Sequence, residues 1–297
     1  MQIIKLFFKG IGKTIFYINK YFKTFVFLFI VFLILSPNEE KTKLSNANLA
    51  QINLKGEITN VDNLLEQIYK LKDNDAIKGV LFYIDSPGGA FAPSMELALA
   101  IKDLKAKKPV VVYAGGTIAS GSYLSAVGAN KIIANPASFV GSIGVIMQGF
   151  NASDLAQKIG ISDQTISAGS YKEAGTFMRK WSDQEKEFLQ NLANQSYELF
   201  TSFVASNRNL DLNQTYQWAD AKVFLANEAL KLKLIDKVGN YEEAKKDLEK
   251  ISKVQNPIWQ KEDAFDKFIK RLEEQSTSFF SNVFTKIFIK LNEQKIY

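Results

Sequence analysis

Three short apolar runs do most to decide what this 297-residue chain can fold into. Gly79-Val80-Leu81-Phe82-Tyr83-Ile84, Pro109-Val110-Val111-Val112-Tyr113 and Lys131-Ile132-Ile133-Ala134 lack the polar alternation of a half-solvated strand. They read as strands covered on both faces. Around them the apolar residues change to helical spacing: Val61, Leu64, Leu65, Ile68, Tyr69 and Leu71, then Met95, Leu97, Ala98, Leu99, Ile101 and Leu104. Strands alternating with helices predict an α/β domain of βαβ units with a largely parallel sheet. Leu49 to Leu54 alternates as one more strand, ending at Lys55-Gly56, and Asp183 to Arg208 is spaced as a helix. Phe188, Leu189, Leu192, Tyr197, Phe200 and Phe203 are expected on the inner face of that helix. No internal repeat is visible.

Small residues follow these strands, at the ends where such sheets bind ligands. Asp85-Ser86-Pro87-Gly88-Gly89 comes directly after the first apolar run. Its glycines leave the backbone unshielded, so exposed N–H groups there could stabilise an oxyanion; an ordinary strand-to-helix turn reads equally well. Ser120, in Gly115-Gly116-Thr117-Ile118-Ala119-Ser120-Gly121-Ser122-Tyr123, follows the second run and stands before an apolar segment. It fits a reactive hydroxyl near a helix N-terminus, and it also fits a plain N-cap. The Walker-A spacing of Gly116 and Gly121 lacks its lysine, and Ile118 and Ser122 break the Gly-x-Ser-x-Gly elbow.

Composition narrows the chemistry. The chain has no histidine and no cysteine, which removes a Ser-His-Asp triad, a thiolate nucleophile, a disulfide framework and an ordinary zinc site. A reactive serine must then take its base from a lysine, a carboxylate or an amine terminus. Lys172, in Ser167-Ala168-Gly169-Ser170-Tyr171-Lys172, is the best candidate. A lysine with the ordinary pKa of about 10.4 costs roughly 4.6 kcal/mol to deprotonate at pH 7, so the role demands desolvation. A solvated surface lysine is the plain alternative.

The net charge of +6 and pI near 9.1 do not read as nucleic-acid binding, because the lysines gather at the two ends beside Phe-rich stretches. Residues 1–23 carry Lys5, Lys9, Lys13, Lys20 and Lys23 and no acid, and Thr24 to Leu35 is apolar, stopped by Ser36-Pro37. This predicts a single-pass anchor over 24–37, with Tyr21-Phe22 extending it and the lysines on the cytoplasmic side. No small-x-small cleavage site follows Leu35, which favours an uncleaved anchor, while the shortness of the run keeps a cleaved signal segment as the alternative. Residues 38–48 are a linker, 49–250 the α/β domain, and 251–297 an amphipathic helical extension in which Phe265, Phe268, Ile269, Leu272, Phe280, Phe284, Ile287, Phe288 and Leu291 recur at helical spacing. Such a tail suits either a neighbouring subunit or a membrane surface.

Asp85-Ser-Pro-Gly-Gly89, Ala119-Ser-Gly121, Gly141-Ser-Ile-Gly-Val145 and Ser167-Ala-Gly-Ser-Tyr-Lys172, in that order, resemble the signal peptide peptidase family of membrane-anchored Ser–Lys peptidases, half-length bacterial type. The likeness runs from about Leu49 to Gly239, including Ala219-Asp-Ala-Lys-Val-Phe224 and Leu234-Ile-Asp-Lys-Val-Gly239. It implies a crotonase/caseinolytic-protease-like fold of repeated ββα/βαβ units in a superhelix. It implies Ser120 as nucleophile, Lys172 as general base, Ser142 as the residue orienting that lysine, and the Gly89 and Gly121 amides as oxyanion hole. It further implies a homo-oligomeric ring whose sites are shared between subunits, peptide substrates such as cleaved signal peptides, and no metal or organic cofactor. The catalytic domain would face outward from a bacterial cytoplasmic membrane. The chain departs from the family at Ser122, where a glycine is usual, at Ala221-Lys222, where Gly-Arg is preferred, and at Leu225-Ala226. Ser122 is expected to narrow the site and add a rival hydroxyl. Two other readings stay open: a crotonase-like enzyme on acyl thioesters, and a non-catalytic peptide-binding scaffold.

Overall fold

The computed structural model describes residue 17, residues 20–28, which are helical like residue 17, and residues 46–260. The chain forms two compact units, Met1–Ser45 with Glu262–Tyr297, and Asn46–Lys261. Most of the expected anchor (29–37) and of the expected helical tail (261–297) lie outside the described residues. Among the described residues no helix is long and apolar enough to cross a membrane.

The second unit is a mixed α/β fold. In chain order it runs β1 (Leu49–Ile58), α1 (Asp62–Asp73), β2 (Gly79–Gly89), α2 (Phe91–Lys107), β3 (Val110–Ala119), α3 (Gly121–Ala126), β4 (Lys131–Ala134), β5 (Phe139–Gly141), α4 (Ser153–Lys158), α5 (Asp183–Arg208), a 3-10 turn (Leu212–Gln214), α6 (Thr215–Trp218), β6 (Val223–Leu225), α7 (Ala226–Lys231), β7 (Lys237–Val238) and α8 (Tyr241–Ile251). The order β1-β2-β3-β4-β7 is parallel throughout.

The apolar runs are covered on both faces, as their sequence requires. Val80, Phe82 and Ile84 of β2 pack with Ile68, Leu97, Ile101, Leu104, Phe200 and Val204 on one side. Leu81 turns the other way with Leu49, Val111, Tyr113 and Ile133, under Ala244 and Leu248 of α8. Tyr123 lies fully buried in the larger layer and its hydroxyl donates to the Leu234 carbonyl at 2.8 Å. Tyr123→Phe is expected to lower stability by about 1–2 kcal/mol, since the buried carbonyl loses that donor. It should appear as a lower urea midpoint at unchanged m-value. An unshifted midpoint would show the bond to be worthless.

Two expectations need correction. The first strand does not stop at Lys55-Gly56: Gly56 takes φ +73° at an irregularity between Lys55 and Glu57, and pairing with β2 resumes as Glu57↔Gly88 and Ile58↔Gly89. Asp85 to Gly89 is therefore strand, not turn, because β1 holds it. The inner face of α5 is also shorter than its spacing implies. Phe200, Val204 and Ala205 are buried, whereas Phe188 and Leu189 are half-buried and Leu192 is exposed. Phe188 stacks instead on Tyr171, with ring centroids 4.7 Å apart.

Tyr171 belongs to a long excursion between β5 and α5 that contains only α4 and leaves Ile146, Phe150, Leu155, Ile159, Ile166 and Phe177 exposed. Its end is fastened to α5. Ser182 and Glu185 form a reciprocal capping box, and Arg179 grips both oxygens of Glu185 at 2.8 and 2.7 Å. The Arg179 guanidinium, and after it the Ser182 backbone N–H, hold the Glu185 carboxyl down at about 2. A depressed folded-state pKa gives stabilisation that is complete above the ordinary carboxylate value and is lost as pH falls toward the depressed one. Acidification from pH 4.5 to 2 should therefore release residues 176–182. Hydrogen exchange corrected for its intrinsic rate should show their protection falling in that window, and Arg179→Met should abolish the step. Protection that is flat over this range would contradict the reading.

Candidate active site

The sheet forks at Gly115-Gly116. Before the fork, Val111 to Ala114 pair with β4; beyond it, Thr117 to Ala119 pair with β5. Asp85 secures the far branch by accepting the Thr117 N–H at 2.9 Å. Ser120 ends that branch. Its amide donates to the Gly141 carbonyl at 2.7 Å, and its own carbonyl accepts the Leu124 N–H at 3.0 Å.

Ser120 has φ 53° and ψ −125°. A non-glycine residue at positive φ outside the usual left-handed well costs on the order of 1–3 kcal/mol and persists only where its surroundings impose it. Although Ser120 occupies the N-cap position of α3, its side chain makes no capping bond. The plain N-cap reading therefore does not describe it. Ser120 is half-exposed at a strained corner, and among the described residues its hydroxyl makes no hydrogen bond.

Two of the other expected residues adjoin this corner. A Cβ built on Gly121 would come within 3.4 Å of the Gly89 nitrogen and 2.1 Å of Ser94 Oγ, so the Gly89 and Gly121 backbones lie side by side. Ser142 follows the paired residue Gly141, as Ser120 follows Ala119, on neighbouring strands. It too has positive φ, 49°, and its N–H donates to the Lys222 carbonyl at 2.7 Å. Ser142 is half-buried.

Among the described residues no hydrogen bond joins Lys172 to Ser120. Lys172 sits exposed in the turn after Gly169, whose carbonyl accepts its N–H at 3.1 Å, and among the described residues no hydrogen bond or ion pair reaches its Nζ. A single chain thus presents the serine corner and the two glycine backbones together, and carries the lysine exposed on the excursion. Among the described residues no three carboxylates gather to hold a metal ion.

Ser122 differs from its expectation. It is fully buried, and its hydroxyl faces the Ser86 carbonyl at 2.7 Å and the Ala119 N–H and carbonyl at 2.9 Å each. It competes with nothing. Ser86, Ser94 and Ser125 are also fully buried around the corner, which the sequence did not disclose: the Ser86 carbonyl meets Ser122 36 positions away and the Ser125 hydroxyl meets the Ser94 carbonyl 31 positions away.

The sequence profile of Peptidase family S49 matches residues 102–255, a stretch containing Ser120, Ser142 and Lys172. The chain belongs to Peptidase family S49. The resemblance drawn from the ordered motifs is thus borne out at the level of the family. A Clp protease profile also matches residues 39–159. Among relatives, a Methanocaldococcus jannaschii protein named as a protease is 43% identical over 195 residues, 66% of this chain and 62% of that protein. A protein of Enterococcus faecium named as a signal peptide peptidase is 35% identical over 66% of this chain and 57% of its own length. A chloroplastic serine protease of Arabidopsis thaliana is 33% identical over 62% of this chain and 27% of its own. The match therefore spans about three fifths of the first two relatives.

Proposed function

We propose that this S49 protein is a serine endopeptidase that hydrolyses signal peptides and other short or unfolded peptides. Ser120 is the nucleophile and Lys172 the general base. Neutral Lys172 takes the Ser120 proton while Oγ attacks the peptide carbonyl, and the Gly89 and Gly121 N–H groups hold the oxyanion. The lysine ammonium then gives its proton to the leaving amine as the C–N bond breaks. Water, deprotonated by the same lysine, releases the acyl group and restores the serine. Ser142 orients the lysine. The observation that carries this reading is the strained, uncapped Ser120 beside the Gly89 and Gly121 backbones.

The lysine comes from a neighbouring subunit of a homo-oligomeric ring of crotonase/caseinolytic-protease-like protomers. Support comes from the exposed position of Lys172 and the apolar side chains that the same excursion leaves uncovered. Residues 24–37 anchor the chain in a membrane as a single pass, with residues 1–23 inside and the peptidase domain outside. The lysine-flanked apolar run supports this. A fluorophosphonate probe on the full chain in detergent should modify residue 120, located by peptide mass mapping. Modification at another serine, or none, would reject the assignment.

A further inference from the structure

We infer that Ser122 is a positioning residue: its buried hydroxyl clamps the strand carrying the Gly88-Gly89 amides to the turn carrying Ser120. The inference rests on the serine peptidase reading and goes beyond it, since Ser122 touches neither substrate nor the reacting atoms.

A serine hydroxyl has one proton and two lone pairs. At Ser122 both capacities are used at once. Oγ accepts the Ala119 N–H at 2.9 Å and donates to the Ser86 carbonyl at 2.7 Å, with the Ala119 carbonyl as a second acceptor at 2.9 Å. Ala119 is the residue before the strained Ser120, so fixing its peptide group fixes the corner from one side. Ser86 lies three residues before Gly89, and its own hydroxyl accepts the Gly88 N–H at 3.2 Å. One side chain therefore joins the last residue of β3 to the end of β2, at the point where β2 pairing becomes irregular between Ile84 and Ser86. Full burial removes water as a substitute partner. Without the hydroxyl, the two strand ends keep their own sheet bonds but lose the tie between nucleophile and oxyanion amides. Geometry of that kind is what a reacting serine needs, and displacements near 1 Å cost on the order of 100-fold in rate.

The test is Ser122→Ala in the full chain, with Ser138→Ala as a matched control. Ser138 is another buried serine, donating to the Ala114 carbonyl at 2.9 Å away from the corner. Ser122→Ala should lower kcat by about 10–100-fold with KM within about twofold, and slow fluorophosphonate labelling of Ser120 in proportion. Ser138→Ala should melt earlier yet keep its kcat. A kcat for Ser122→Ala within twofold of wild type, or a loss that Ser138→Ala reproduces, overturns the inference alone. A wild-type chain inert to both peptide and probe overturns the peptidase reading, and this inference with it. Ser122→Gly repeats the measurement should the alanine chain not fold. If neither variant folds, wild-type hydrogen exchange decides: an Ala119 amide as protected as that of Val112 supports the clamp, and one exchanging as a free amide overturns it.

Discussion

Ser120→Ala should reduce peptide hydrolysis by about 10⁴-fold or more, the usual consequence of deleting a serine nucleophile. Assembly and stability should not suffer, because the Ser120 side chain makes no capping bond that the substitution could break. Ser120→Gly sharpens the point. It should be equally inactive and yet more stable by about 1 kcal/mol, as glycine relieves the φ of 53°. A serine kept at that angle for packing would show the opposite trend. Lys172→Ala should be inactive as well, although among the described residues its exposed side chain makes no hydrogen bond or ion pair. Chains carrying Ser120→Ala and Lys172→Ala, denatured together and reassembled, separate the two arrangements. In a head-to-tail ring with shared sites, an equal mixture should recover about one quarter of wild-type activity. Sites contained within one protomer would stay dead in every mixture. Full activity of Lys172→Ala would remove the dyad itself.

What the sequence disclosed and what it hid follow from the range of the forces involved. Val80 to Ile84 and Val110 to Tyr113 were legible as doubly covered strands because burial on both faces leaves a purely apolar run. The extension of β2 through Asp85-Ser86-Pro87-Gly88-Gly89 was not, since these residues have turn chemistry and only pairing with Glu57 and Ile58 makes them strand. Helical spacing located α5 at Asp183–Arg208. It could not show that Phe188 would meet Tyr171 of the excursion in place of the core. At the candidate site, the serine and glycine motifs were readable as candidates because their residue types are scarce in strand interiors. The strain at Ser120 and the tie from Ser122 to Ser86 depend on three chain segments converging, which no local pattern encodes.

Gly88→Ala should combine a loss of stability with a loss of chemistry, and the comparison with Gly56→Ala shows why. Gly88 has φ +96°, and a Cβ there would lie 2.6 Å from the Gly121 nitrogen, 2.7 Å from the Ala119 carbonyl oxygen and 2.8 Å from Ser120 Cβ. The first two are main-chain atoms of the corner itself and cannot swing aside. Backbone strain of about 1–2 kcal/mol and overpacking of about 1–3 kcal/mol predict a total near 2–5 kcal/mol. Whatever relief the fold finds must push Ser120 and the Gly121 amide away from Gly89, so chains that do fold should lose on the order of 100-fold in kcat. Gly56 has a comparable φ, +73°, with nothing within 4 Å of a built Cβ. Gly56→Ala should therefore cost only the strain, about 1 kcal/mol, and leave kcat alone. Urea midpoints and steady-state kinetics on the two variants make the distinction. If Gly88→Ala matched Gly56→Ala in both, the packing of the Gly88 segment against the serine corner would have no part in activity, and the oxyanion hole would have to be sought among other amides.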